Sequence, residues 1–213
     1  LGGVPGVAPA RVTIIGGGVV GENAARIASA LGADVTVIDK SVHRLNVLDE
    51  LFAGRVKTIF STGEAIREHA LCSDLLIGAV LVAGESAPKL VSEETVGKMR
   101  RGSVIVDVAI DQGGCVETSR PTTHENPTYV VHGVVHYCVA NMPGAVARTS
   151  TQALNNATLP FVAALADKGK KALIENQHFL AGLNACAGKI THPAVAGAQN
   201  LPFTPPLEAL SSV

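Results

Sequence analysis

Six consecutive residues near the start of the chain, GGGVVG at positions 16–21, have the types and spacing of a phosphate-binding loop. In the pattern G-x-G-x-x-G, Gly16 permits a tight turn after a strand and Gly18 lets the backbone approach a pyrophosphate. Gly21 lets the following helix pack closely on that strand, and the free N–H groups at the start of the helix would face the phosphates. The pattern alone is weakly specific, because glycine-rich turns between strands and helices are common.

A carboxylate follows at the spacing expected for a dinucleotide site. Asp39 ends the second predicted strand, 18 residues after Gly21, close to the separation at which an acid meets the ribose hydroxyls. Its charge would repel a 2′-phosphate, so the two motifs together favour NAD over NADP. Arg44, in the next predicted helix, keeps NADP open, and a solvated aspartate at a strand end is the alternative interpretation of Asp39.

Two more carboxylates interrupt the apolar stretch SVIVDVAIDQGGC, residues 103–115. Ligands of open parallel sheets bind beyond the carboxyl ends of the strands. Asp111, which precedes the turn-forming QGG, is therefore predicted to contact a ligand. Asp107 lies inside the run, where an unpaired charge would be costly, and we interpret it as a strand carboxylate bonded to backbone groups or a neighbouring loop.

These motifs lie on a regular alternation of strands and helices with short connections. Such an alternation predicts a Rossmann-type doubly wound α/β fold, in which helices cover both faces of a parallel sheet. We expect this dinucleotide-binding domain to span residues 1–145. Strands are predicted at residues 11–16, 34–39, 55–61, 74–81, 103–110 and 128–133, and helices at 21–32, 41–52, 63–72 and 92–102.

The alternation stops after Gly133. Residues 146–213 are predicted to form a mostly helical C-terminal segment, with Pro160 at a kink or a helix start. The apolar faces of these helices need a surface to cover, and we expect that surface to belong to a missing catalytic domain. The apolar residues are Leu154, Leu159, Phe161, Leu165, Leu173, Ile174, Leu180 and Leu183.

Composition excludes several classes of function. With 47% hydrophobic and 16% charged residues the chain can bury a substantial core, and a net charge of −1 offers no basic surface for nucleic acid or an anionic membrane. No apolar run approaches the roughly 18 residues of a membrane span, and the N-terminus lacks the pattern of a signal peptide. We therefore expect a cytoplasmic protein. The 4 cysteines form no C-x-x-C pair, which favours reduced thiols over zinc ligands or disulfides.

Three stretches resemble a known family. The sequences LLIGAVLVAGESAPKLV, VIVDVAIDQGGCVETSRPTTHENPTY and GVVHYCVANMPGAVARTSTQALNNATLP closely resemble the L-alanine dehydrogenase family, which is related to the NAD(H)-binding subunit of proton-translocating transhydrogenase. The resemblance extends from residue 1 to about residue 193 and covers the family's NAD-binding domain and C-terminal helices. It implies reversible oxidative deamination of L-alanine to pyruvate and ammonium with NAD as cofactor.

The resemblance also implies which residues form the site. Asp39 matches a position on the adenine ribose, Arg44 and Ser61 match positions near the adenosine half, and Asp111 resembles the family's catalytic aspartate. The other matching cofactor positions are Val19 in the glycine loop beside Gly16, Gly18 and Gly21, Val80 and Leu81 after strand four, Val108, Ala109 and Ile110 at the nicotinamide end, Arg120, and the run Val139, Ala140, Asn141 and Met142.

The family binds its substrate through an arginine, a lysine and an acid/base histidine in an N-terminal segment that this chain does not contain. The first residue is Leu1 rather than methionine, so we expect a fragment that is inactive alone. None of the 7 histidines is expected to be the base, and His132 and His136 are interpreted as local hydrogen-bonding groups. By the same resemblance the protein is expected to form homo-oligomers, such as a hexamer.

Two other functions stay open. The first is the NAD(H)-binding subunit of transhydrogenase, which typically carries extra residues after the acid of strand two and an Arg/Gln-rich nicotinamide loop. Neither feature is visible here, because VIDKSVHRLNVLDELF runs directly from the strand into a helix. The second is a non-catalytic module that binds NAD(H) as a sensor.

Overall fold

The computed structural model describes residues 1–82 and 86–211 of the chain. These residues form two compact units, one of residues 1–82 and 86–142 and the other of the described residues from 143 onward. The first unit consists of β1 (Arg11–Ile15), α1 (Val19–Ala30), β2 (Asp34–Asp39), α2 (Val42–Phe52), β3 (Val56–Phe60), α3 (Gly63–Cys72), β4 (Leu75–Gly78), α4 (Glu93–Lys98), β5 (Val104–Asp107), a 3-10 helix (Val108–Gln112), β6 (Thr128–Val131) and β7 (Val134–Tyr137).

The strands form one sheet in the order β3-β2-β1-β4-β5-β7-β6. The ladders from β3 to β7 are parallel, and β6 pairs with β7 in antiparallel orientation. The chain first runs outward from β1 through β2 to β3, and then returns to place β4 on the other side of β1. The predicted doubly wound α/β fold is confirmed, and its topological switch point lies between β1 and β4.

Hydrophobic residues on both faces of the sheet explain this architecture. Successive strand residues point to opposite faces, so Ile14 and Val37 belong to one buried cluster while Ile15 and Ile38 belong to another. A strand that is apolar on both faces needs a helix layer on each side. Helix boundaries follow local capping: Ser41 accepts a hydrogen bond from the backbone N–H of Arg44 at the start of α2.

The end of the sheet differs from the prediction. Residues 128–133 were expected to form a sixth, parallel strand followed by helices. Instead β6 and β7 form a hairpin whose two turn residues, His132 (φ 52°) and Gly133 (φ 80°), both have positive φ, as a tight two-residue hairpin turn requires. Strand β7 was not predicted, because four residues following a glycine are too few to give a clear alternation.

Three predicted elements end earlier in the structure. Strand β4 ends at Gly78 rather than at residue 81, and α4 ends at Lys98 rather than at residue 102. Strand β5 ends at Asp107, and the chain then tightens into the 3-10 helix. Asp111 therefore lies one helical turn beyond the strand rather than directly after it.

The second unit is mostly helical. It contains a 3-10 helix (Met142–Val146, which begins at the last residue of the first unit), α5 (Ala147–Lys168), α6 (Lys171–Ile174), α7 (Gln177–Leu180), β8 (Ala185–Cys186), β9 (Lys189–Ile190), α8 (Pro193–Gln199) and α9 (Pro206–Ser211). Pro160 lies in the interior of α5, which excludes a helix start there, one of the two alternatives predicted for that residue. No residue of α5 is buried, whereas Leu173 in α6 is. No helix among the described residues is long and apolar enough to cross a membrane.

Candidate functional site

The candidate site lies at the carboxyl edge of the sheet. Six neighbouring strands are parallel, so the segments that follow them meet at one edge of the first unit. Most of the predicted site residues follow these strands: Gly16 after β1, Asp39 at the end of β2, Ser61 after β3, Val80 and Leu81 after β4, Val108, Ala109, Ile110 and Asp111 after β5, and Val139, Ala140, Asn141 and Met142 after β7.

The glycine loop sits at the switch point and packs too closely for side chains. Gly16 has φ 100°, and a Cβ on it would lie 2.6 Å from the carbonyl oxygen of Ala79, which follows β4. A Cβ on Gly21 would lie 1.8 Å from the carbonyl oxygen of Gly16. By contrast, a Cβ on Gly18 would meet no atom within 4 Å. Gly16 and Gly21 thus serve close packing, and Gly18 borders open space.

That open space lies in front of the N-terminus of α1. Gly18 is the N-cap residue and supplies no side-chain hydrogen bond, and Val19 is 79% exposed. The N–H groups in the first turn of a helix have no partner within the helix, and together with the helix dipole they attract anions. The loop and the helix start therefore fit a pyrophosphate group.

Asp39 is held rigidly beside the loop. One carboxylate oxygen accepts the backbone N–H of Gly17 at 2.7 Å, and the other accepts that of Ser41 at 2.7 Å. A carboxylate oxygen has two lone pairs, so both oxygens keep capacity to accept hydroxyl hydrogens. Asp39 thus ties the glycine loop to the start of α2 and remains able to bind a diol.

Arg44 crosses from α2 to the loop and is neutralised by Glu22. Its Nε donates to the carbonyl oxygen of Gly17, and its terminal nitrogen pairs with Glu22 of α1, which also pairs with Arg26 at 2.8 Å. The hydrogen bonds from Arg44 and then from Arg26 lower the pKa of Glu22. Arg44 therefore anchors the glycine loop, and its positive charge is partly balanced by the carboxylate of Glu22.

Asp107 is fully buried and organises the segment after β5. One of its oxygens accepts the backbone N–H groups of Cys115 at 2.9 Å and Val116 at 3.1 Å, and the Cys115 thiol donates to the other oxygen at 3.6 Å. The interpretation of Asp107 as a carboxylate bonded to backbone groups of a nearby loop is confirmed. Burial, followed by the charge of Asp107, raises the pKa of the Cys115 thiol far above its usual range.

Asp111 has a different environment. It is exposed on the 3-10 helix, and no described residue donates a hydrogen bond to it. The neighbouring Gln112 side chain bonds both backbone groups of Val82, at 3.2 Å and 2.8 Å, which fixes the 3-10 helix against the segment after β4. Ala109 and Ile110 are buried, so only their backbone could contact a ligand.

The segment after β7 is held by the loop that precedes β6. Thr122 forms a bridge with Val139, accepts the N–H of Ala140 at 3.1 Å, and donates its own N–H to Cys138 at 2.9 Å. The ring of His124 donates to the carbonyl oxygen of Asn141, whose φ is 59°. The side chain of Val139 is fully buried, which again leaves only backbone for a ligand.

Arg120 lies outside the segments that directly follow the parallel strands. It lies in the loop between β5 and β6, and its guanidinium carbon is 4.1 Å from the ring centroid of Tyr129. His132 pairs with Glu93 at 2.9 Å, and buried His136 lies 2.8 Å from the Thr118 hydroxyl. The interpretation of both histidines as local hydrogen-bonding groups is confirmed, and burial lowers the pKa of His136.

Sequence reasoning missed several residues that shape this edge. Glu22, Gln112, His124 and Tyr129 each hold a predicted residue or its loop. An acid in the first turn of a helix was a signal for Glu22. The others act through contacts that sequence spacing does not reveal. All four cysteines are free thiols, and no cluster of three or more His, Cys, Asp or Glu in the described ranges could hold a metal ion.

The fold and the edge define a class of protein. A doubly wound sheet with a glycine loop at the switch point, an open helix N-terminus and an acid ending β2 is a dinucleotide-binding domain. The model of one family, described as alanine dehydrogenase/PNT, C-terminal domain, matches residues 1–193. The chain belongs to this family.

Individual relatives agree with the family match. The chain is 68% identical over 204 residues to an alanine dehydrogenase of Halomonas elongata, covering 95% of this chain and 55% of the relative. It is 57% identical over 213 residues to an alanine dehydrogenase of Methanococcus maripaludis, covering 99% of this chain and 57% of the relative. The chain thus spans about half the length of the curated relatives it matches.

Two solved structures are similar to this one. An L-alanine dehydrogenase superposes with a TM-score of 0.86 at 56% identity, covering 94% of this chain and 55% of that protein. A transhydrogenase from Sinorhizobium meliloti superposes with a TM-score of 0.71 at 25% identity, covering 91% of this chain and 53% of that protein. Similarity to alanine dehydrogenase is therefore greater in both sequence and structure.

Proposed function

We propose that this chain binds NAD(H) and is the cofactor-binding part of an enzyme that deaminates L-alanine oxidatively to pyruvate and ammonium. The observation that carries the proposal is the carboxyl edge, where the glycine loop, Asp39 and Asp111 follow three strands of one sheet. The 68% identity to a protein named alanine dehydrogenase supports the choice of substrate. Identity of 25% to a transhydrogenase makes that function the weaker candidate.

We assign the cofactor contacts along this edge. The pyrophosphate would lie at the start of α1, the adenine ribose on Asp39, and the nicotinamide beside the 3-10 helix that carries Asp111. The other proposed contacts are Gly16, Gly18, Val19, Gly21, Arg44, Ser61, Val80, Leu81, Val108, Ala109, Ile110, Arg120, Val139, Ala140, Asn141 and Met142. For Ala109, Ile110 and Val139, whose side chains are buried, the contact would be through the backbone.

We propose NAD rather than NADP as the cofactor. A 2′-phosphate would meet the carboxylate of Asp39, which two backbone N–H groups hold in place. Arg44 could offset that repulsion only by leaving Glu22 and the carbonyl of Gly17. Titration of this chain with NADH and NADPH tests the assignment: we expect saturable binding of NADH and much weaker binding of NADPH. Equal affinity for the two would refute it.

Bound NAD⁺ would supply hydride chemistry at Cα of L-alanine; in the proposed reaction the substrate nitrogen gives up one proton as the imine forms, and water then converts the imine to pyruvate and ammonium. The chain's own contribution is to place the nicotinamide and to hold a proton-accepting group near the reacting carbon. Asp111 is exposed and free of partners among the described residues. It could hydrogen-bond the attacking water and stabilise positive charge on the imine.

Turnover can be tested in a chimera. The chain would replace the aligned portion of the Halomonas elongata relative, and NADH absorbance would be followed with L-alanine. We expect turnover by the chimera and none by this chain alone. Asp111→Ala in the chimera should lower kcat by roughly a hundredfold or more while changing NADH affinity little. Unchanged turnover of that variant would remove Asp111 from the mechanism.

We also propose that the active protein is a cytoplasmic homo-oligomer, with a hexamer as the expected state. The support is membership of the family, since the family resemblance implies such an assembly. Light scattering after size-exclusion chromatography of the chimera tests the assembly directly. A single monomeric species at working concentration would refute the oligomer.

A further inference from the structure

The side chain of Arg120 is exposed, and its guanidinium has one observed contact among the described residues, with the ring of Tyr129. It pairs with no carboxylate within residues 1–82 and 86–211, and its guanidinium carbon lies 4.1 Å from the ring centroid of Tyr129. A guanidinium within about 6 Å of an aromatic centroid is attracted to the ring face. An aromatic ring holds the group in place without using its N–H donors, so those donors stay available for another partner.

The same tyrosine also fixes the backbone of Arg120. The hydroxyl of Tyr129 accepts the N–H of Arg120 at 2.8 Å and donates to the carbonyl oxygen of Thr118 at 2.9 Å. One residue of β6 therefore holds both the main chain and the side chain of Arg120.

Tyr129 in turn packs on a buried residue, His136. Its ring stacks on that of His136, with centroids 5.0 Å apart and planes at 20°. His136 is fully buried and donates Nδ1–H to the carbonyl oxygen of Val134 at 3.0 Å, so its Nε2 accepts from the Thr118 hydroxyl at 2.8 Å. An imidazole bonded in this way is neutral and brings no second positive charge beside Arg120.

The position of Tyr129 connects this arrangement to the carboxyl edge. In the β6–β7 ladder Thr128 lies opposite Tyr137, the last residue of β7, and Tyr129 lies opposite His136. Tyr129 is thus one residue away from the edge at which residues 139–142 begin. We propose that Tyr129 is a positioning residue that presents the guanidinium of Arg120 to an acceptor oxygen of the dinucleotide. The inference rests on the proposed function, in which the same edge binds NAD(H).

Binding of NADH to this chain tests the proposal. The sequence has no tryptophan and 2 tyrosines, so NADH fluorescence can be followed without interference from indole emission. Tyr129→Leu removes the ring and the hydroxyl, and Tyr129→Phe keeps the ring. Because Tyr129→Leu removes the ring and the hydroxyl that hold Arg120, it should weaken NADH binding roughly tenfold. Tyr129→Phe should recover part of that loss.

A matched control lies on the same strand. Val130 is 63% exposed and points to the other face of the sheet from Tyr129. Val130→Ala should leave NADH affinity unchanged. Thermal unfolding of each variant shows whether it folds. If Tyr129→Leu does not fold, the comparison of Tyr129→Phe with the wild-type chain tests the hydroxyl part of the proposal.

If Tyr129 acts by positioning Arg120, the effect of Tyr129→Leu on NADH affinity should require Arg120; if Tyr129 only stabilises the fold, it should not. We expect Arg120→Ala to weaken NADH binding, and Tyr129→Leu to cause no further loss once Arg120 is absent. The inference would be overturned if Tyr129→Leu lowered NADH affinity equally in the wild-type chain and in Arg120→Ala. It would also be overturned if Tyr129→Leu bound NADH with wild-type affinity. A wild-type chain that gives no saturable NADH signal would instead refute the proposed function, and this inference with it.

Discussion

Replacing Gly21 by alanine tests how closely α1 packs on the turn after β1. A Cβ at this position would stand 1.8 Å from the carbonyl oxygen of Gly16 and 3.3 Å from a methyl group of Ile14. Non-bonded heavy atoms prefer roughly 3.5 Å, so α1 would have to move by more than about 1 Å. The oxygen belongs to the backbone and cannot rotate away as a side chain would.

Two opposing effects set the change in the free energy of unfolding of Gly21→Ala. Alanine is favoured over glycine inside a helix by about 1 kcal/mol, whereas overpacking usually costs about 1–3 kcal/mol and occasionally more. A contact as short as the one at Gly21 belongs at or beyond the upper end, so we expect a net loss of about 2 kcal/mol in the free energy of unfolding. For a chain of this size that corresponds to a decrease in Tm of roughly 4–8 °C.

Gly97 provides the matched control within the same unit. It lies in α4, and the atom nearest to a Cβ there would be a ring carbon of His132 at 3.9 Å. Gly97→Ala should therefore leave Tm unchanged or raise it slightly. Both variants can be compared by far-ultraviolet circular dichroism during heating. If Gly21→Ala melts at or above the wild-type temperature, α1 does not pack on Gly16 as described and the reasoning is wrong.

Three further substitutions give distinct outcomes. Gly18→Ala should weaken NADH binding roughly tenfold or more, because its methyl group would occupy the space for the pyrophosphate; unchanged affinity by fluorescence titration would contradict the assigned position. Since Arg44 lowers the folded-state pKa of Glu22, the ion pair stabilises the fold above the unfolded pKa of about 4.3 and is lost on acidification. Glu22→Gln should thus lower the free energy of unfolding, measured in urea, by up to about 1 kcal/mol at neutral pH. If the difference between wild type and variant does not become smaller near pH 4, the ion pair is not its cause. Asp107→Ala should cost about 2–4 kcal/mol in the same assay, since it leaves the buried N–H groups of Cys115 and Val116 without their acceptor; a loss below about 0.5 kcal/mol would show that the carboxylate is not needed.

Local patterns determined how much of the fold was predictable. The first five strands were located because each is a short apolar run bounded by glycine or polar residues, and buried parallel strands require such runs. Strand β7 was missed because its partner and direction depend on a two-residue turn at His132 and Gly133. Its buried residues, Val134 and His136, alternate over too few positions to be distinguished from a loop.

The candidate site was likewise predictable only in part. The positions of Asp39 and Asp111 near strand ends could be predicted, because strand ends are visible in the sequence and parallel strands share an edge. The hydrogen bonds that fix those residues could not. The contacts of Arg44 with Glu22 and of Arg120 with Tyr129 join different elements, so no local spacing indicates them.

The two carboxylates of the segment after β5 show how burial separates structural from chemical capacity. Asp107 and Asp111 are four residues apart, yet only Asp107 has backbone donors directed at it. Its carboxylate takes up the space in front of Gly78 and Gly114, where a Cβ would stand 3.0 Å and 2.7 Å from its oxygens. Asp107 also begins the loop and accepts the backbone N–H groups of Cys115 and Val116 at its other end, so both ends are held at one buried group.

The middle of this loop is held separately, because the Gln112 side chain bonds both backbone groups of Val82. The 3-10 helix between the two tied ends places Asp111 at the exposed side, where its oxygens keep their full capacity to accept hydrogen bonds. Asp107 is fully buried and accepts the N–H groups of Cys115 and Val116 and the Cys115 thiol, so its role is structural. The buried acid thus fixes the start and the end of the loop, while the exposed acid has no hydrogen-bond partner among the described residues and is left available for the proposed contact with a ligand.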